Sequence, residues 1–247
     1  MYTDRHELMS KKDIPLIEKT ITWQGEGCNT GKRMMLVRFK YCSCHCPFCD
    51  TWNKMGELKE DVYSINDISE EMRKFSVENL MITGGEPTLG NNNRTDGYNS
   101  NFQSTVDMLT YVPFEYADIE TNGYNIEDLL HKCIKIQQFQ ENKKINISFS
   151  PKFFRDDDVV RALDKCRYLS LYNRHYPIVK VVVSDDRSIR FARSLVNDGI
   201  YNPNYLYLMP LGCSREEIQK SFPIVVSLAT ELQCNISGRM HLIHDFM

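Results

Sequence analysis

Cys42, Cys46 and Cys49 stand in the spacing C-x3-C-x2-C within Tyr41-Cys42-Ser43-Cys44-His45-Cys46-Pro47-Phe48-Cys49-Asp50. Three thiolates on one short loop can hold three irons of a 4Fe–4S cluster and leave the fourth iron without a protein ligand. An open iron can bind a small molecule and pass it an electron. Two other readings compete. Zinc wants four ligands, and Cys44 or His45 could complete such a set. Structural zinc sites, however, usually draw on two separated pairs, and no second pair follows here. A disulfide loop fits poorly with nine cysteines, mostly isolated, and with no signal peptide over Met1–Leu16. That usage points to a reduced, cytoplasmic protein. Cys44 does not fit the three-ligand spacing and reads as a spare thiol, with a swap for Cys42 or Cys46 left open.

The chain that must position this loop has 247 residues and a net charge of −3. It is long enough for one sizeable core. No apolar run reaches a membrane span, and the charge gives no reason to expect long-range attraction to nucleic acid. We expect a single domain over 1–247, with a polar inserted loop near 90–101, Gly-Asn-Asn-Asn-Arg-Thr-Asp-Gly-Tyr-Asn-Ser-Asn.

Apolar stretches predict strands at Met34–Lys40, Leu80–Thr83, Tyr116–Glu120, Ile145–Ser150, Ile178–Val183 and Tyr205–Met209. The run Ile178–Val183 is almost continuously apolar, as in buried parallel strands. Helices are expected after each. Ser64 caps one whose apolar residues Ile65, Ile68, Met72 and Phe75 fall three or four apart. Others lie near Phe102–Leu109, Ile126–His131, Asp157–Lys165 and Ser188–Val196. The last covers Ser214–Leu232, where Pro223 should interrupt or kink it. Six alternating units of this kind predict an α/β fold with parallel strands, either a partial barrel or an open doubly wound sheet. The suggestive segments, Cys42–Asp50, Gly84–Thr88, Thr121–Gly123, Ser150–Lys152 and Met209–Gly212, each follow a predicted strand. In a barrel the C-terminal strand ends share one mouth.

Several residues have uses beyond structure. The glycines of Thr83-Gly84-Gly85-Glu86-Pro87 let backbone approach a ligand closely, and Glu86 can accept from an ammonium group. Arg38 lies in an apolar strand, where a charge needs a partner. Its guanidinium would match a carboxylate.

The cysteine spacing, the aromatic Phe48 before the last cysteine and the Gly-Gly-Glu-Pro turn together resemble the radical S-adenosylmethionine (SAM) superfamily. The run Trp23-Gln24-Gly25-Glu26-Gly27 through Val37-Arg38 to Cys49-Asp50-Thr51 is more discriminating. It resembles the 7-carboxy-7-deazaguanine synthases, as do Glu120-Thr121-Asn122-Gly123, Ser150-Pro151-Lys152, Lys180–Asp185 and Arg239-Met240-His241. That resemblance implies an incomplete (β/α) barrel of six parallel βα units. It also implies conversion of 6-carboxy-5,6,7,8-tetrahydropterin to 7-carboxy-7-deazaguanine with loss of ammonia, on the way to queuosine and other 7-deazapurines. The implied cofactors are a 4Fe–4S cluster on Cys42, Cys46 and Cys49, SAM, and Mg²⁺ on Thr51. Phe48, Asp50, Gly85, Glu86, Ser150, Pro151, Lys152, Met209 and Pro210 would contact SAM. Trp23, Gln24, Gly25, Glu26, Arg38, Thr83 and His241 would contact the substrate. Met209 departs from the family's usual glutamine and can still pack against adenine. Expected partners are the pterin and an electron donor such as flavodoxin; a homodimer is left open. The rival functions are a glycyl-radical-enzyme activase, which would not explain Gln24–Gly27 with Arg38 and Thr51, and a non-catalytic binding protein on the same fold. A zinc-binding interaction module is a third.

Overall fold

The computed structural model describes residues 5–49, 51, 59–90, 99–172 and 177–244. Asp50 and most of the predicted polar insertion, 91–98, lie outside the described residues. In chain order the elements begin with α1 (Arg5–Ser10), β1 (Ile14–Leu16), β2 (Glu18–Trp23), β3 (Arg33–Phe39), β4 (Asp61–Tyr63), α2 (Ile65–Lys74), β5 (Asn79–Gly84) and α3 (Asn101–Tyr111). They continue with β6 (Tyr116–Thr121), α4 (Ile126–Phe139), β7 (Lys144–Phe149), α5 (Asp156–Ser170), β8 (Ile178–Val183) and α6 (Asp186–Asn197). The last are β9 (Leu206–Pro210), α7 (Arg215–Leu232), β10 (Asn235–Ile236) and α8 (Met240–Ile243). The six predicted strands are present as β3, β5, β6, β7, β8 and β9; the last five are each followed by a helix, and among the described elements the short strand β4 comes between β3 and α2. The chain divides into two compact units.

The first unit comprises 1–22, 33–43 and 54–145. Here β3 pairs parallel with β5, and β5 with β6. The register sets Arg38 beside Thr83 and Phe39 beside Gly84. Alternate side chains of β3 feed a cluster of Met34, Leu36 and Met81, against which Tyr116 packs. Burying each such side chain contributes roughly 1.5–3 kcal/mol. Helix α2 starts as its sequence requires. The Ser64 hydroxyl accepts from Asp67 N at 3.1 Å, while the Asp67 carboxylate accepts from Ser64 N at 2.8 Å. This reciprocal cap satisfies two of the donors that a helix start leaves open. A short antiparallel pair, β1 with β4, was not predicted.

The second unit comprises 23–32, 44–53 and 146–247. Strands β7, β8, β9 and β10 pair in that order, all parallel. Val179, Val181, Leu206 and Leu208 are buried along β8 and β9, as are Phe191 and Leu195 on α6. The ring of Phe191 lies 4.9 Å from that of Phe153. Helix α7 continues through Pro223, which excludes the interruption, one of the two effects expected there. Its buried stripe of Ile218, Val225, Leu228, Ala229 and Leu232 outweighs the cost of about 3 kcal/mol for an interior proline.

Candidate active site

In the first unit the Gly-Gly turn is pressed against the backbone that leads into Cys42. A Cβ on Gly84, whose φ is +111°, would lie 2.3 Å from both Phe39 N and O, and one on Gly85 would lie 2.0 Å from Tyr41 O. Gly85 N donates to Phe39 O and Glu86 N to Tyr41 O, each at 2.7 Å. The glycines therefore let two backbone segments of the protein touch. The buried Asn101 amide ties the same two segments together, donating to Tyr41 O at 3.1 Å and Glu86 O at 2.9 Å.

The Glu86 side chain is wholly buried. One carboxylate oxygen accepts from Thr88 N (2.9 Å), Thr88 Oγ1 (2.6 Å) and Thr121 Oγ1 (2.5 Å); the other accepts from Asn122 N at 2.7 Å. Burial raises its pKa, and these hydrogen bonds offset that only in part. The Asn122 side chain then reaches the cysteine loop. Its Nδ2 donates to Ser43 Oγ at 3.0 Å and to Cys42 Sγ at 3.7 Å. Arg38 is buried on β3, and its Nε donates to Glu18 Oε2 at 2.7 Å. Thr83, half-buried, is its register neighbour on β5. Sequence analysis missed Glu18, Asn101 and Asn122. Only Glu120–Gly123, quoted as a family match, marked any of them.

In the second unit the cysteine loop continues through a turn in which Cys49 N donates to Cys46 O at 3.1 Å. Cys44, Cys46, Phe48, Cys49 and Thr51 are half-buried, while His45 is exposed. Cys213 Sγ donates to Phe48 O at 3.5 Å. Lys152 Nζ folds back onto Ser150, reaching its O at 3.0 Å and its Oγ at 2.9 Å. Pro151, Met209 and Pro210 are buried.

The Trp23–Gly27 segment also lies in this unit. Trp23 is 49% exposed and Gln24 is buried. Gln24 Oε1 accepts from Glu26 N at 3.2 Å. Gly25 leaves no room for a side chain, since a Cβ there would lie 2.3 Å from His241 Nδ1. Met240 N donates to Gly25 O at 3.0 Å, so the C-terminal residues clasp this segment. The Glu26 carboxylate meets Lys180 Nζ at 2.6 Å, Arg239 Nε at 3.1 Å and His241 Nε2 at 3.8 Å. Burial alone would raise its pKa. The charges of Lys180 and Arg239, with the His241 ring beside them, outweigh that and hold it well below the usual carboxylate range. Arg239 Nη1 also donates to Gly212 O. Lys180 was visible in sequence as the one charge in Ile-Val-Lys-Val-Val-Val. A buried strand tolerates such a charge only when it is paired.

Among the described residues no three Cys, His, Asp or Glu side chains are gathered as a metal cage. The donor set itself fits an iron–sulfur cluster. Cys42, Cys46 and Cys49 are free thiols, each half-buried, on one loop.

Comparison with known proteins places this arrangement. The profile of the Radical SAM superfamily matches residues 36–178, more than half of the chain. A 7-carboxy-7-deazaguanine synthase from Rhodopirellula baltica is 31% identical over 241 residues, covering 94% of this chain and 87% of that protein. One from Haemophilus influenzae is 43% identical over 74 residues, 30% of this chain and 33% of its own length. The crystal structure of QueE from Escherichia coli superposes with a TM-score of 0.59 at 17% identity, covering 98% of this chain and all of that one. That likeness shows a shared fold, consistent with the expected incomplete (β/α) barrel. The chain belongs to the radical SAM superfamily and, within it, to the 7-carboxy-7-deazaguanine synthase family. Membership in the superfamily carries with it the 4Fe–4S cluster and SAM, which decides between the iron–sulfur and zinc readings of the cysteine loop.

Proposed function

We propose that this protein converts 6-carboxy-5,6,7,8-tetrahydropterin to 7-carboxy-7-deazaguanine, releasing ammonia as one ring contracts. The observation that carries this reading is the chain-long likeness to the Rhodopirellula baltica synthase, at 31% identity over 94% of the chain. It acts as one catalytic domain over 1–247, with the polar segment near 90–101 as an insertion. When bound, the cluster and SAM would supply the one-electron chemistry that starts the reaction.

The chain's own residues bind and orient. Cys42, Cys46 and Cys49 hold the cluster. Phe48, Asp50, Gly85, Ser150, Pro151, Lys152, Met209 and Pro210 take SAM, with Glu86 organising the turn beneath it. Arg38 takes the substrate carboxylate. Glu18 holds its Nε, which orients the guanidinium, and Thr83 stands beside it in the register. Trp23, Gln24, Gly25, Glu26 and His241 take the pterin ring, and Glu26, held as a carboxylate, accepts from ring N–H groups. Thr51 gives an oxygen to Mg²⁺, a hard cation that takes few protein ligands and keeps several waters. An electron donor such as flavodoxin would supply the reducing electron, in the cytoplasm. Among the described residues no helix is long and apolar enough to cross a membrane.

Anaerobic turnover of reconstituted protein with the carboxylated pterin, SAM, Mg²⁺ and reductant tests the reading. It should yield 7-carboxy-7-deazaguanine and ammonia in equal amounts, and Thr51→Ala should blunt the response to Mg²⁺ with cluster content unchanged. SAM cleavage that depends on a glycine-containing protein partner and ignores the pterin would replace the reading with that of an activase.

A further inference from the structure

The geometry points to Asn122 as a positioning residue for the cluster: its side-chain amide donates to the sulfur of the first cluster cysteine, Cys42, and sets the cluster's reduction potential. This inference rests on Cys42 being a ligand, as proposed above. Asn122 Nδ2 lies 3.7 Å from Cys42 Sγ and 3.0 Å from Ser43 Oγ. One NH₂ group has two hydrogens, so it can serve both acceptors at once.

The donor is fixed from behind. Asn122 N donates to the wholly buried Glu86 carboxylate at 2.7 Å. Thr121 Oγ1, one residue earlier, donates to Glu86 and accepts from Gly123 N at 2.9 Å. The backbone on both sides of the asparagine is therefore pinned before its side chain reaches the loop. The loop is pinned from its other flank, because Tyr41 O accepts from Glu86 N and from Asn101 Nδ2. Cys42 thus sits between two anchors that both lead to Glu86. A ligand held in this way is presented to iron in one orientation. Hydrogen bonds to the sulfurs of an iron–sulfur cluster stabilise its reduced, more negative state and raise its potential. An amide donor at Cys42 would therefore ease the electron uptake that precedes SAM cleavage.

Substitution at Asn122 removes only the side-chain bonds, since the Glu86 contact is made by its backbone N. The experiment is an anaerobic redox titration of reconstituted protein followed by electron paramagnetic resonance, with iron release to a chelator measured in parallel. Asn122→Ala should shift the midpoint to more negative potential and speed iron release on the order of 10-fold. Asn122→Asp keeps the shape, loses the donor and adds a charge, so its potential should fall further. This isosteric variant carries the test should Asn122→Ala load poorly. Ser43→Ala should leave the potential where it was. An unchanged midpoint in both Asn122 variants would overturn the inference. A full four-iron cluster in Cys42→Ala would instead bring down the ligand assignment beneath it.

Discussion

Glu86 in the first compact unit and Glu26 in the second are the same side chain, one wholly and one largely withdrawn from water, and the protein shifts their acidity in opposite directions. Around Glu86 the four donors are neutral: two hydroxyls and two backbone N–H groups. They replace the lost hydration but add no opposite charge, so burial keeps the advantage and the pKa rises. Around Glu26 stand the cations of Lys180 and Arg239, at 2.6 and 3.1 Å. A cation about 4 Å away contributes about 4 kcal/mol at an effective dielectric near 20. Two of them together exceed a burial penalty of several kcal/mol for the carboxylate, and the pKa falls. Hydrogen bonds alone therefore fix where a buried carboxylate sits, whereas cations also fix its charge. The first suits a residue that must brace a turn beside the cysteine loop. The second suits one that must remain a hydrogen-bond acceptor for a substrate.

The largest effect should come from breaking the cation side of the comparison. Lys180→Met leaves Glu26 with Arg239 and His241 alone, and loss of one member of a buried pair costs about 3 kcal/mol. Urea unfolding of the apoprotein should show the midpoint falling with the slope unchanged. A midpoint equal to that of the parent would mean that Lys180 does not hold Glu26. Glu86→Gln should cost less, about 2 kcal/mol. The amide keeps an acceptor but turns its own donors toward Thr88, Thr121 or Asn122. Stability equal to the parent in the same titration would show that the carboxylate is not the hub of that network.

Smaller, but of opposite sign in the two regions, is the dependence on pH. The folded-state pKa of Glu26 lies below the ordinary glutamate value of 4.5. Its contribution is therefore present above about pH 4.5 and is lost as pH falls toward the folded value. The folded-state pKa of Glu86 lies above 4.5. Its contribution is complete below 4.5 and is lost as pH rises through the folded value. Relative to the parent, Glu26→Gln should lose its disadvantage in acid, and Glu86→Gln should lose its disadvantage toward neutral pH. Parallel stability curves for the two variants would contradict the assigned environments.

Much of the strand order was legible, because runs such as Met34–Phe39 and Ile178–Val183 alternate with amphipathic helices at short spacing. Ser64 announced its cap through Asp67 three residues on. The iron–sulfur character of the cysteine loop was legible from the spacing of Cys42, Cys46 and Cys49. The partners of the site residues were not, since local pattern carries no record of pairs distant in sequence. Glu26 and Lys180 are 154 positions apart, and Arg38 and Glu18 are 20 apart. Gly84 and Gly85 were recognised as sites of close approach, but what they approach, Phe39 to Tyr41, depends on the β3–β5 register. Pro223 does not end α7, because the buried face of the helix carries it across the proline.

The most direct test of the contrast is steady-state kinetics of Glu26→Gln and Glu86→Gln side by side under anaerobic conditions, with KM measured for the pterin and for SAM. A pterin KM raised on the order of 10-fold in Glu26→Gln, with the SAM KM unchanged, is expected from the loss of one charged hydrogen bond to the substrate, and in Glu86→Gln the SAM KM should rise with the pterin KM unchanged, because the turn that carries Gly85 is no longer braced. The same pair of changes in both variants would contradict the division of labour between the two carboxylates.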